Sequence, residues 1–484
     1  MTTKKTTAAS TTVDDAVTGT ILEGYRGKVF TDRYARKNAA GESMETYPEQ
    51  MFDRVATAIA EVEPTKRKRE TAAGEFRDLL ADFKFVPGGR ILSGAGTGHE
   101  VVFYNCFVCG IGEDPTNPNA PRVPQLEGVE ARQAFFASLK QMTDIMSRSG
   151  GVGMNFTSLP AKGTPITEQD GRGRNGKVRP VVALHVGHTD LFRFLDDKDN
   201  PLLANVDIAV IVGPAFHDAV SNDADWTLSW EGQPGETVKA VALWERLTTS
   251  DGRAIQLVNE EILYPRYDAY CALEDSRESI VDGLEYASLA LYRGETPIVD
   301  YSALRPHGAY IKTVNGTSSG PIAWMYPMDA VARLDDGCSP VESGIVGYIE
   351  IASTITGKTI IQGGSRRGAL MAMVDDTHPD VLDFIQAKRI DAATGRPVMI
   401  EHANMSVAAS DAFMAAVKAK TGWSFTWKGE VVDTVAADKV WDVICTAAWT
   451  TAEPGLVFME RSQNQANTGY YESIRCVNPC GGRN

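Results

Sequence analysis

The sequence lacks any apolar run of the roughly 18 residues that a membrane-spanning helix needs, and no signal peptide precedes its first patterned region. It is also short of positive charge, since 48 Lys and Arg stand against 63 Asp and Glu, for a net charge of −15. That balance argues against broad neutralisation of duplex phosphates, although a local nucleotide pocket stays compatible with it. We therefore expect a cytoplasmic protein that binds neither nucleic acid nor a membrane.

Cysteine is scarce and odd in number, with seven residues among 484. In a chain of this length, that favours reduced or redox-active thiols over a disulfide scaffold. P-loop, Rossmann and H-E-x-x-H motifs are all missing, so none of the common signatures of phosphate, dinucleotide or catalytic zinc binding applies. We predict no metal ligands.

The patterns that are present predict an α/β fold of several domains. Residues 1–20 have the composition of a disordered tail, and helical spacing of apolar residues from Pro48 to Phe83 predicts a small helical N-terminal domain over 21–98. Val101 to Ile111 is an apolar run typical of a fully buried strand. Beyond it, strand and helix patterns alternate, which predicts α/β architecture with mostly parallel strands.

Residues 176–247 are echoed by residues 366–444. The clearest matches pair Trp226 and Trp230 with Trp423 and Trp427, followed by His188 with His378, Ala204-Asn205 with Ala403-Asn404, and Trp244 with Trp441. Each copy is predicted to form a strand, a helix, a strand, a helix and a tight hairpin. Chance similarity of two α/β units is the alternative, and the matched Trp pairs make it the weaker one.

The segment Cys476-Val477-Asn478-Pro479-Cys480-Gly481 predicts a short, rigid, exposed loop, because Pro fixes φ and Gly permits a tight turn. A thiol held in such a loop suits chemistry. The alternative is a buried Cys beside a turn, since free Cys usually behaves as a small hydrophobe.

Cys106 and Cys109 form a C-x-x-C motif, which suggests zinc or a dithiol. In a strand, residues three apart point to opposite faces, so two separate roles are favoured over a shared zinc. Two glycine-rich turns follow. Ser149–Asn155 offers bare backbone amides, whereas Gln362–Ala369 adds two guanidiniums and is equally a phosphate contact or a solvated basic turn.

The order of these motifs resembles the catalytic chain of ribonucleotide reductases, most closely the adenosylcobalamin-dependent (class II) enzymes. The resemblance runs from about Phe30 to Gly481 and is interrupted between Lys162 and Val299. It is carried by six motifs in order: Asn105-Cys106, Gly150-Gly151-Val152-Gly153, Arg305-Pro306-His307-Gly308 with Ser318-Ser319-Gly320-Pro321, Gln362–Ala369, Glu453-Pro454-Gly455, and Asn478-Pro479-Cys480-Gly481.

The resemblance implies a ten-stranded α/β barrel, of which this chain carries the first part, after the helical domain. Residues 99–162 and 299–484 would form the N-terminal half of the barrel, and 163–298 an insertion that holds the first repeat copy. Our hypothesis is that this copy replaces a dimer partner's surface at the effector site. No ATP-cone precedes the barrel motifs, so overall on/off regulation by ATP and dATP is not expected.

Site roles also follow from the resemblance. Cys480 would be the thiyl-radical Cys that abstracts the ribose 3′ hydrogen, and Cys106 one of two thiols that reduce C2′. Asn478 would hydrogen-bond the substrate. The remaining substrate-binding positions would be Gly89, Asn105 and Gly151. The implied function is allosterically regulated deoxyribonucleotide biosynthesis for DNA replication, with adenosylcobalamin as cofactor, a ribonucleotide as substrate, a deoxynucleotide as effector and a thioredoxin-like reductant.

The family pattern continues Asn-Pro-Cys-Gly-Glu, whereas this chain has Gly482 in the place of the Glu and ends two residues later. The second redox Cys and the second half-barrel are expected on a separate chain, so a split or truncated reductase is the favoured interpretation. Two alternatives stay open: a fragment of a class I-type large subunit that uses a separate radical-generating subunit, and an inactive nucleotide- or zinc-binding relic.

Overall fold

The structure is a computed structural model that describes most of the chain. The described residues are 19–38, 41–112, 125–164, 178–249, 252–262, 270–314, 316–334, 344–362, 366–390, 392, 399–471 and 473–481. The expected tail over 1–20 lies almost wholly outside them. The chain forms two compact units, one of residues 1–103 with 312–315 and the other of residues 104–311 with 316–484.

The first unit is helical. Its helices are α1 (Gly24–Arg33), α2 (Pro48–Ala60), α3 (Lys66–Leu80) and α4 (Gly89–Gly94). Pro48 starts α2 because the first helical position needs no backbone N–H donor. One face of α2 is buried in a small core whose members include Phe30, Met51, Phe52, Val55 and Leu80. On α3, Leu80 is buried, whereas Leu79 and the following Phe83 are exposed, so the apolar spacing predicted the helix better than it predicted which residues are buried.

The second unit contains the remaining elements. Its helices are α5 (Gly128–Ser147), α6 (Leu191–Asp196), α7 (Pro214–Ser221), α8 (Ala240–Thr248), α9 (Arg277–Tyr292), α10 (Pro321–Leu334), α11 (Gly344–Thr354), α12 (Val381–Gln386), α13 (Asp411–Ala419), α14 (Ala437–Thr451) and α15 (Met459–Asn464). Its strands are β1 (Cys106–Gly110), β2 (Gly151–Asn155), β3 (Val181–His185), β4 (Asp207–Val212), β5 (Asp225–Trp230), β6 (Gln233–Lys239), β7 (Gln256–Asn259), β8 (Tyr270–Ala272), β9 (Ile298–Asp300), β10 (Tyr310–Ile311), β11 (Gly316–Thr317), β12 (Ile361–Gln362), β13 (Arg366–Arg367), β14 (Leu370–Asp375), β15 (Asn404–Ala408), β16 (Gly422–Trp427), β17 (Glu430–Ala436) and β18 (Gly455–Val457).

Two five-stranded sheets organise this unit. The first sheet has the order β1-β2-β14-β15-β18 and the second sheet the order β7-β4-β3-β9-β8, and all their pairings are parallel. Residues 181–184 of β3, 208–212 of β4 and 370–374 of β14 are apolar and buried, as expected for inner strands covered on both faces. The prediction of an α/β fold with mostly parallel strands is confirmed. None of the helices in the described part is long and apolar enough to cross a membrane.

The second sheet matches the first strand for strand. Strands β8, β9, β3, β4 and β7 stand in the order that β1, β2, β14, β15 and β18 have in the first sheet, and α9 joins β8 to β9 as α5 joins β1 to β2. The chain order differs, because the β8–α9–β9 portion follows β7 here instead of preceding β3. The second sheet is therefore a permuted counterpart of the first, and it is larger than the repeat over 176–247.

Side-chain contacts repeat with the strands. The ring Nε2 of His188 lies 2.8 Å from the carbonyl oxygen of Leu304, and that of His378 lies 3.2 Å from the carbonyl oxygen of Leu159. Each of the hairpins β5–β6 and β16–β17 is fastened by an indole, since Trp226 donates to the carbonyl of Val186 and Trp423 to that of Asp376.

Register changes one match of the repeat. Val181 pairs with Asp207 and the equivalent Met371 pairs with Asn404, so Asn404 corresponds to Asp207 and not to Asn205. The similarity of Ala204-Asn205 to Ala403-Asn404 is thus a coincidence two residues out of register.

Two further expectations need correction. Only Cys106–Gly110 of the run from Val101 to Ile111 forms a strand, and Val108 is exposed, because β1 is an edge strand that pairs with β2 alone. The boundary drawn at 298/299 cuts through β9, which pairs with β3 and β8. This strand belongs to the second sheet, so the inserted segment continues beyond residue 298. The other domain boundaries stay predictions.

We predict that Trp423→Phe lowers the free energy of unfolding by about 1–2 kcal/mol, because it removes the 2.8 Å hydrogen bond to the Asp376 carbonyl and part of the packing on Phe413. Trp449→Phe is the matched control, since Trp449 is 91% exposed, and should stay within about 0.5 kcal/mol of the parent. Urea unfolding measures both, and equal losses would contradict the anchoring role of Trp423.

Candidate active site

The loop of residues 475–481 lies against one face of the first sheet. Cys476 and Val477 are buried in a cluster with Met371, Met373 and Ala408, and Val477 N lies 3.3 Å from the Met373 sulfur. This cluster is separate from the main core of the unit. The loop therefore covers part of the sheet surface, and its own apolar residues Cys476 and Val477 form a buried cluster with the side chains of the strands.

Two glycines of β2 give the loop its room. A Cβ at Gly153 would overlap the carbonyl oxygen of Val477, and a Cβ at Gly151 would lie 3.0 Å from Cγ of Pro479. Because β2 is an inner strand, only the missing side chains let a second backbone approach this closely. Two glycines of the glycine-rich turn identified in the sequence thus form the surface on which the 475–481 loop is seated.

Hydrogen bonds from two strands of the sheet and within the loop hold the loop in place. Asn155 Nδ2 donates to the carbonyl of Arg475 at 3.0 Å, and Asn404 Nδ2 donates to the carbonyl of Pro479 at 2.7 Å. Within the loop, Cys480 N donates to Oδ1 of the buried Asn478 at 3.1 Å. The tip that carries Cys480 is thereby fixed from inside and from two strands of the sheet.

The thiols differ in access. Cys480 is exposed at the tip, and Cys476 is buried beneath it. On β1, Cys106 is half-buried and stands opposite Gly151, whose N–H donates to the carbonyl of Asn105 at 2.9 Å. Cys109 is buried in the main core. Through Gly151, which touches Pro479, the structure brings Asn105, Cys106 and the 475–481 loop to one end of the first sheet.

The other predicted site residues are not part of this cluster as described. Gly89 is the first residue of α4 in the helical unit, where a Cβ would lie 3.2 Å from the Tyr34 ring. Of the turn Gln362–Ala369, residues 363–365 lie outside the described residues. Among the residues that the structure does describe, no three His, Cys, Asp or Glu side chains are grouped to hold a metal ion.

Sequence reasoning missed Asn155, Asn404 and Gly153. The glycine-rich turn of the sequence analysis includes Gly153, but the sequence does not show that this glycine makes room for the Val477 carbonyl. Nothing in the local sequence indicates that the two amides bind a segment that follows them by up to 320 residues.

Buried acids and a buried His line the carboxyl end of the first sheet. Burial raises the pKa of Asp376 to about 6, although Oδ2 accepts a 2.6 Å hydrogen bond from Ser410 N. Burial likewise raises the pKa of Asp380 to about 6 and lowers that of His378 to about 4. His378 is therefore neutral near pH 7, which suits its Nδ1 as acceptor of the Asp380 N–H.

Two family models match the chain. One is described as the barrel domain of ribonucleotide reductase and matches residues 334–482, and the other as its all-alpha domain and matches residues 26–100. The barrel match contains β14, β15, β18 and the 475–481 loop, and the all-alpha match contains α2, α3, α4 and all but the first two residues of α1. Each matched segment is therefore similar to one domain of ribonucleotide reductase.

Curated relatives agree. A vitamin B12-dependent ribonucleoside-diphosphate reductase of Mycobacterium tuberculosis is 32% identical over 43% of this chain and 26% of its own length. A namesake in Thermoplasma acidophilum is 26% identical over 43% of this chain and 23% of its own length. A putative adenosylcobalamin-dependent ribonucleoside-triphosphate reductase of Mycobacterium phage D29 is 23% identical over 96% of this chain and 54% of its own.

The chain thus spans about half the length, or less, of the curated relatives it matches. A crystal structure of a B12-dependent, class II ribonucleotide reductase is similar over 82% of this chain and 48% of its own, with a TM-score of 0.45 and 17% identity.

We predict that Gly153→Ala displaces the 475–481 loop, because the new methyl group overlaps the Val477 carbonyl. The expected result is faster alkylation of the buried Cys476, measured by peptide mass spectrometry. Gly74→Ala, in α3 where nothing lies within 4 Å, is the control and should stabilise the chain by about 0.5–1 kcal/mol. Unchanged protection of Cys476 in Gly153→Ala would contradict the seating of the loop.

We also predict a pH effect of Asp376. Its pKa is raised in the folded state, so the stability from its protonated form is complete below the unfolded value near 3.8 and is lost as pH rises through about 6. Between pH 4 and pH 6 the unfolding free energy of the parent should therefore fall, and that of Asp376→Asn should fall by about 2–3 kcal/mol less. Urea unfolding across this range measures the slope, and identical slopes for parent and variant would contradict the raised pKa.

Proposed function

We propose that this chain supplies the part of a ribonucleotide reductase that carries the radical thiol, and that the reaction converts ribonucleotides to 2′-deoxyribonucleotides. The observation that carries the proposal is the seating of the Cys480 loop on two glycines beside the half-buried Cys106. Thiyl chemistry needs a thiol held at a fixed place, and the reduction needs a second thiol nearby.

Each residue then has a role. Cys480 as a thiyl radical takes the 3′ hydrogen of the ribose and returns it after the reduction at C2′, which restores the thiyl radical. Asn478, Asn105, Gly151 and Gly89 bind substrate. At C2′ the hydroxyl leaves as water, and two thiols supply two electrons and two protons as they close to a disulfide. Cys106 is one of these thiols, and a thioredoxin-like reductant reopens the disulfide.

Adenosylcobalamin is the proposed cofactor, and it supplies the radical to Cys480 when it is bound. The exposed Cys480 thiol fits this use, because a buried one could not be reached from outside the sheet. No described residue is assigned to hold the corrin ring. The names of the relatives in Mycobacterium tuberculosis and phage D29 support this cofactor over a separate radical-generating subunit.

The second redox thiol, the acid–base carboxylate and the rest of the barrel are proposed to come from polypeptide that corresponds to the remaining length of the relatives. Regulation is proposed to act through a deoxynucleotide effector, with the repeat copy of residues 176–247 in the place of a dimer partner's surface. A dimer that buries this copy elsewhere would contradict that placement.

The assay uses the protein purified from its own source with any polypeptide that accompanies it. Native mass spectrometry first shows whether a second chain binds this 52.4 kDa one. Incubation with a dithiol and ribonucleoside di- or triphosphates then follows, with and without adenosylcobalamin.

We expect 2′-deoxynucleotide formation that depends on adenosylcobalamin and is lost in Cys480→Ser and Cys106→Ser. Cys445→Ser, an exposed Cys on α14, is the control and should keep full activity. Product formation that survives Cys480→Ser would contradict the proposal. Activity that needs a metal-containing subunit instead of cobalamin would replace the cofactor.

A further inference from the structure

The 475–481 loop is fastened to the first sheet at both ends of its main chain. Asn155, the last residue of β2, donates to the Arg475 carbonyl, and Asn404, the first residue of β15, donates to the Pro479 carbonyl. Strand β14 lies between β2 and β15. The two amides therefore hold the loop from β2 and β15, the strands on either side of β14.

The Asn155 amide is itself oriented by its neighbours. Its Nδ2 also donates to Oδ1 of Asp375 at 3.2 Å, and its Oδ1 accepts from the N–H and hydroxyl of Thr157 at 3.0 and 2.7 Å. With the carbonyl side fixed by Thr157, the NH₂ group must face Arg475. An Asp at this position would have the same shape and no donor to offer.

The second sheet contains that substitution. Register places Asp300 where the first sheet has Asn155, and Asp207 where it has Asn404. Asp300 accepts hydrogen bonds from the Tyr270 and Ser302 hydroxyls, and Asp207 pairs with Arg253 at 3.2 Å. Both positions carry acceptors only, and neither can hold a carbonyl.

The surface that the loop covers in the first sheet also differs in the second sheet. Ile298 stands in the place of Gly153 and is buried among Val181, Ala183 and Ile211, so its side chain fills the volume that the Val477 main chain takes in the first sheet. Where Pro479 would lie, the second sheet has a cavity of about 430 Å³ lined by Arg179, Asp207 and Ile298 among others. The same chain thus contains one sheet that holds such a loop and one that does not. The two asparagines occur only in the sheet that holds the loop.

We propose that Asn155 and Asn404 are positioning residues for Cys480, and that their side-chain NH₂ groups, more than their shape, hold the 475–481 loop on the sheet. The inference rests on the proposed role of Cys480 in the reaction, because a radical thiol must keep one position relative to the substrate. The hydrogen bonds themselves can be tested without any turnover.

The experiment measures alkylation by iodoacetamide in the native protein, cysteine by cysteine, with peptide mass spectrometry. Cys476 belongs to the loop and is buried against the sheet, so its labelling reports displacement of the loop, whereas labelling of Cys109 in the main core reports unfolding of the whole unit. The exposed Cys445 on α14 is the internal reference for reagent and thiol chemistry. Variants are Asn404→Ala, Asn404→Asp and the same pair at Asn155.

Loss of one hydrogen bond of ordinary net strength should raise Cys476 labelling about fivefold in the Ala variants, with Cys109 unchanged. The Asp variants should exceed the Ala variants, because a carboxylate repels the carbonyl that it faces. A packing role gives the opposite order, since Asp fills the space of Asn and Ala does not. Asp207→Asn is the matched control in the second sheet and should leave Cys476 at the parent rate.

Asp variants that label like the parent would overturn the proposal, as would equal rises at Cys476 and Cys109. The proposed function fails separately, through the absence of deoxynucleotide formation in a protein whose Cys476 protection behaves as expected. If both hold, each Asn variant should lower the turnover rate far more than it changes KM, because the thiol and not the substrate has moved.

Discussion

The close approach of a second backbone to an inner strand of a parallel sheet is the constraint on which the rest of this structure depends. Such a strand is normally covered by side chains on both faces, and a main chain can lie on it only where side chains are missing. Gly151 and Gly153 create that gap, and the Val477 carbonyl and Pro479 occupy it. The thiol of Cys480 is placed by this contact and by the two amides beside it.

The second sheet shows what the same scaffold does without this constraint. There Ile298 covers the strand and an apolar cluster of Val181, Ala183, Ala209, Ile211 and Val258 closes the face. Features remote from the loop are retained, because His188 and His378 meet equivalent carbonyls and Trp226 and Trp423 fasten equivalent hairpins. Scaffold contacts have thus been preserved in both sheets, while the contacts that hold a loop are found in one.

The parts of this arrangement that can be predicted from sequence are those with local signals. Parallel strands follow from long apolar segments, and the repeat follows from its Trp pairs. The β8–α9–β9 portion of the second sheet escaped detection because it is permuted and contains no Trp to match. The extent of β1 was overestimated, because an apolar run does not reveal that its strand lies at an edge with one neighbour. The Asn–carbonyl contacts join residues far apart in the chain, so only the fold can show them.

Permutation also has a consequence for the order in which the molecule can assemble. Pairing of β2 with β14 brings together residues 218 positions apart, as Thr157 and Asp375 illustrate, whereas all five strands of the second sheet lie between Val181 and Asp300. The entropy of closing a loop rises with its length, and distant pairings are slow to form. Because β14 follows all five of those strands in the chain, we expect the second sheet to form before the first sheet closes.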